Sequence, residues 1–136
     1  MTALADPRTG LLAILVTILV TPCWAETLVV GASQDTSIFE EDGNLSNGAG
    51  VGLFAGRTAG RQGTSIRRAL IQFDVSGIPQ GATIGSVTVS LTKQLGTASS
   101  LTLHRLQQVW GESGSDAGLP GGKGASAQPG DATWTR

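Results

Sequence analysis

Apolar and polar residues alternate with a period of two over much of this chain. Nowhere do apolar residues recur at i, i+3, i+4 and i+7 through three helical turns. The clearest case is Arg67 to Val75 (RRALIQFDV). Ala69, Ile71, Phe73 and Val75 share one face, and Arg68, Leu70, Gln72 and Asp74 share the other, the pattern of a sheet covered on one side. Ile84 to Thr92 (IGSVTVSLT) repeats it, with Val87, Val89 and Leu91 against Ser86, Thr88, Ser90 and Thr92. Leu101 to Trp110 starts in phase and slips after Leu103, which reads as a bulge or a strand end. Shorter strands are predicted at Thr27 to Gly31, Thr36 to Phe39 and Val51 to Gly56, with the start of another at Asp131 to Arg136.

Between these stretches lie loops. Glu40 to Gly50, Thr58 to Ser65 and the turn Ser76 to Thr83 are rich in Gly, Ser, Asn or Pro. Gly111 to Gly130 is so rich in Gly, Ser and Pro that it reads as one long mobile loop. About six strands separated by turn signals predict an all-β, antiparallel sandwich. The chain has 136 residues, enough for one domain, and its 20 glycines suit a fold with many tight turns.

The start of the chain departs from this pattern. Leu11 to Val20 is apolar except for Thr17, about half the length a membrane-spanning helix needs. Arg8 precedes it, Pro22 ends it, and Cys23 and Ala25 are small. The segment 1–25 therefore reads as an export signal cleaved between Ala25 and Glu26, leaving a secreted domain at 26–136. A lipidated Cys23 and an uncleaved anchor are the competing readings. Pro22 stands where a lipid-attachment site has Gly or Ala. Cleavage would remove the only cysteine, leaving neither a disulfide framework nor thiol chemistry.

Composition narrows function further. A formal net charge of −1 argues against a nucleic-acid binder and a polybasic membrane contact. There is one histidine, His104, and no Gly-x-Ser-x-Gly motif, so no triad is in view and the chain reads as non-enzymatic. Zinc lacks ligands. Glu40, Glu41, Asp42 and Asn44 form a weak calcium candidate in a glycine-bearing loop, against the plainer reading of a solvated acidic loop; no other cofactor is implied. Asn44-Leu45-Ser46 is also a glycosylation tripeptide.

The segment RRALIQFDVSGIPQGATIGSVTVSLT resembles the core signature of the DNRLRE-domain family. It has an Arg-led strand ending in Phe73-Asp74, the turn Ile78-Pro79-Gln80-Gly81-Ala82, and a second alternating strand from Ile84. Asp35 with Ile38, and Asn44 with Gly48, resemble the family's opening strand and loop. Trp110-Gly111-Glu112 and Thr133-Trp134 resemble its Trp-x-Glu and Thr-Trp elements. Two departures stand out: the hexapeptide naming the family is absent, and family members continue past Thr-Trp with further strands. The resemblance implies a jelly-roll-like sandwich, here lacking its last strands and read as a fragment. It also implies a secreted or cell-surface, non-catalytic module that binds extracellular polysaccharide, acidic chains such as alginate included, or attaches a larger protein to a surface. The alternative is a structural or adhesive spacer without glycan affinity, which the scarcity of aromatics (4%) favours.

For glycan binding the residues to watch are Arg68, Arg105, Trp110 and Trp134. Guanidinium groups grip uronate carboxylates with two parallel hydrogen bonds, and tryptophans stack on the apolar face of a sugar ring. Solubilising arginines and core or rim tryptophans are the plainer alternatives.

Overall fold

The computed structural model describes residues 25–58 and 66–135. The leader read at 1–25, Ala25 apart, lies outside them, as does Arg61. The described residues contain antiparallel strands and no helix. None of their segments is therefore a helix long and apolar enough to cross a membrane.

The longest strands are β1, Ala32–Phe39, and β4, Ile66–Phe73. They pair antiparallel, with Thr36 opposite Leu70, Ile38 opposite Arg68 and Phe39 opposite Arg67. The short β3, Gly56–Arg57, adds to the other edge of β4, giving the order β1-β4-β3. Opposed residues share a face. Thr36, Ile38, Arg68 and Leu70 therefore lie on one side of the sheet. Ser37, Phe39, Arg67 and Ala69 lie on the other.

A second, two-stranded sheet joins β2, Leu45–Ser46, to β5, Ala125–Ser126. It packs against β1, where the buried hydroxyls of Thr36 and Ser46 lie 3.1 Å apart and hydrogen-bond. Buried apolar residues are few among those described: Ile38, Phe39 and Ala132. Polar groups fill much of the interior instead, and apart from Arg67 Nε and Thr133 Oγ1 the buried side-chain atoms described are paired. Asn47, 1% exposed, donates from Nδ2 to the Gly52 carbonyl, while its Oδ1 accepts from the Ala117 amide. Ser37 Oγ accepts from the Phe54 amide. Such pairing is what buried polar atoms require.

The expected strand Thr36 to Phe39 is present and runs longer, and Arg67 to Val75 is present one residue earlier, ending at Phe73. Four other expectations need correction. Thr27 to Gly31 forms no strand, Val51 to Gly56 forms none before Gly56, the first residue of β3, and neither Ile84 to Thr92 nor Leu101 to Trp110 forms one. Alternation marks which side chains can face a core, but a strand also needs a neighbour for its backbone N–H and C=O groups. No such neighbour meets these stretches among the described residues. The Gly111 to Gly130 loop is corrected too. It contains β5 and is tied down along its length, for Ala49 N donates to the Ser115 carbonyl and Gly48 N to Ser115 Oγ. Asp131 follows no strand geometry, and its carboxylate accepts from the Ser113 and Gln128 amides.

The turn after β4 behaves as its composition suggests. Asp74 Oδ1 accepts from the Ser76 amide at 2.9 Å. That bond, with a second from the Ser76 hydroxyl, holds the exposed Asp74 carboxyl below its ordinary pKa.

Candidate functional site

Period-two geometry gives the adjacent arginines of β4 opposite environments. Arg67 points into the face that carries Phe39 and is 8% exposed. Its Nη2 pairs with Glu41, its Nη1 donates to Thr58 Oγ1 at 2.6 Å, and its Cζ lies 5.3 Å from the centre of the Phe39 ring. Arg67 is therefore a packing group. Arg68 points to the other face and is exposed. Its guanidinium lies over the ring of Trp134, with Cζ 4.4 Å from the centroid. Among the described residues no carboxylate pairs with it, so its N–H edges stay open to solvent.

Beside this stack lies a cleft of about 310 Å³ between the sheet and the returning tail. Ile38 and Leu70 line it from the strands, and Leu106, Trp110, Ala132 and Thr133 line it from the tail side. Ile38 is the cross-strand neighbour of Arg68, and Thr133 precedes Trp134. Two hydrogen bonds position the tail here: Ala132 N to the Gly111 carbonyl at 2.7 Å, and Asp35 N to Glu112 Oε2 at 2.7 Å. Thr133 is 2% exposed, and its Oγ1 is buried without a hydrogen-bond partner. A buried hydroxyl left unpaired carries a desolvation cost of roughly 1–3 kcal/mol, which a ligand's polar group could offset.

The structure thus brings Arg68 and Trp134 together, while Trp110 lines the neighbouring cleft, whose lining includes neither of them. Arg105 is exposed in a stretch without secondary structure and does not line the cleft, and His104 lies beside it in the same stretch. Sequence reasoning missed Ile38 and Thr133 as cleft residues. The Thr-Trp pair was visible, but nothing in one-dimensional spacing indicates that a threonine hydroxyl will be buried without a partner.

The acidic loop does not converge. Glu40 Oε2 accepts from the Ile66 amide, Glu41 pairs with Arg67, and Asp42 Oδ1 accepts from the Asn44 amide. Among the described residues no three His, Cys, Asp or Glu side chains gather where they could hold a metal. A second depression, about 370 Å³ along Ala117 to Lys123, has Lys123 as its one charged lining side chain.

No protein-family model, no curated protein and no solved structure matches this chain.

Proposed function

We propose that the chain is a secreted, non-catalytic module that docks an extracellular polysaccharide, with carboxylate-bearing sugars its preferred class. In this reading it is a DNRLRE-like, jelly-roll-type domain exported by its leader. One observation carries the proposal: an unpaired arginine stacked on a tryptophan beside a cleft that contains a second tryptophan and an unpartnered buried hydroxyl. Stacking fixes the guanidinium plane and leaves its N–H fork available for a carboxylate. Trp110 supplies an aromatic surface for a sugar ring.

Calorimetric titration of the chain with a polyuronate and with a neutral glucan tests this. The polyuronate binds and the glucan binds more weakly. Arg68→Ala and Trp134→Ala each weaken polyuronate binding about tenfold or more, a loss of about 1.4 kcal/mol, and Arg105→Ala leaves it unchanged. Absence of binding to both polymers defeats the proposal.

A further inference from the structure

Every residue from Pro79 to Val109 is exposed, and none belongs to a strand. Yet this stretch holds a nearly regular alternation. In Ile84 to Thr92 one row carries Val87, Val89 and Leu91, which are 79%, 40% and 58% exposed, and the other row carries Ser and Thr after Ile84. β-branched side chains, no proline and no charge are the composition of a strand ready to pair. Pro, inward-pointing charges and bulges are the usual protections against edge pairing. The first charge after Asp74 is Lys93, beyond the end of the run.

The same facts restrict what this surface can meet. A charged partner finds no opposite charge within it. A sugar polymer finds no aromatic between Phe73 and Trp110. A bilayer finds a hydroxyl at every second position instead of an apolar run. The segment itself is a good match. In an antiparallel pair centred on Val89, Val87 faces Leu91, Thr88 faces Ser90, Ser86 faces Thr92 and Val89 faces its own copy, so like meets like from Ser86 to Thr92. Such a contact is closed by two-fold symmetry. Val87, Val89 and Leu91 with the neighbouring Ile84 expose on the order of 400 Å² per chain, about half of what each partner gives to a standard interface, the size of a weak and reversible contact.

We infer that Ser86–Thr92 is a dimerisation strand, which pairs antiparallel with the same segment of a second copy about a two-fold axis at Val89. The inference is independent of what the cleft binds.

Sedimentation velocity of the full chain over a concentration series reads the association directly. A monomer–dimer equilibrium is expected. Val89→Lys, which sets two ammonium groups against each other on the axis, raises the dissociation constant at least about tenfold. Circular dichroism at a dilution where both proteins are monomeric should agree, because this segment contributes to no described sheet of the single chain. The register is read by oxidation in a Cys23→Ser background. Val89→Cys cross-links to its own copy, and Ser99→Cys does so far more slowly. A chain that remains monomeric throughout overturns the inference. So does association that ignores Val89→Lys, or cross-linking equally fast at both cysteines.

Discussion

Arg67 and Arg68 are adjacent and chemically identical, yet the strand gives them unrelated tasks. Arg68 faces solvent and stacks on Trp134. Arg67 is buried and ties three segments together through Glu41, Thr58 and the Phe39 ring. The alternation in the sequence shows that the two arginines point to opposite faces. It does not show that Glu41 will meet Arg67, because that contact requires the acidic loop to fold back beside β4. Removing the guanidinium should cost about 2–3 kcal/mol, less than a fully buried pair because Glu41 is partly solvated. Arg67→Ala is therefore expected to lower the midpoint of thermal unfolding by several degrees. Arg67→Lys recovers little of it, since one ammonium cannot replace a fork that reaches Glu41 and Thr58 together. An unchanged midpoint for Arg67→Ala would count against the clamp.

At the scale of the element, legibility follows length. β1 and β4 span eight residues each, and the alternation within Thr36 to Phe39 and Arg67 to Phe73 was sufficient to find them. β2 and β5 span two residues each and carry no measurable period. They exist because Leu45 and Ser126 lie opposite each other although about eighty residues separate them, a pairing that local propensity does not encode. Gly124 permits that approach. Its φ is +71°, and an added Cβ would fall 2.8 Å from the Phe39 ring and 3.1 Å from Leu45 Cβ. Gly124→Ala combines backbone strain with overpacking, so a loss of roughly 1–3 kcal/mol is expected in denaturant unfolding. Gly114→Ala, where an added Cβ meets nothing within 4 Å, serves as the neutral comparison. Equal stabilities for the two variants would show that the close approach is unimportant.

Across the whole molecule, the glycine-rich segment and the residues after it return to the first loop and close the fold. Composition alone suggests mobility there, because glycine and serine offer little apolar surface. What holds the segment is polar: Asp131 accepts the Ser113 and Gln128 amides, and Ser115 meets Gly48 and Ala49. Asp131→Ala leaves two amides without their acceptor. Hydrogen exchange at Ser113 and Gln128 should then accelerate more than tenfold while β4 keeps its protection; unchanged rates at both amides would refute this account of the tail. The candidate site is legible to the same degree. Arg68, Trp110 and Trp134 stand out by residue type, whereas the cleft that Trp110 shares with Ile38 and Thr133, beside the Arg68–Trp134 stack, arises only when the tail returns. Asn47 adds a chemical consequence. It precedes Gly48, and in Asn-Gly pairs the following backbone nitrogen readily attacks the side-chain amide, releasing ammonia. Here that nitrogen is bound to Ser115 Oγ, and the amide is held by Gly52 and Ala117. Deamidation at Asn47 thus requires the tail to lift away, so the fraction of aspartate accumulating there over weeks of storage records how often each molecule has opened.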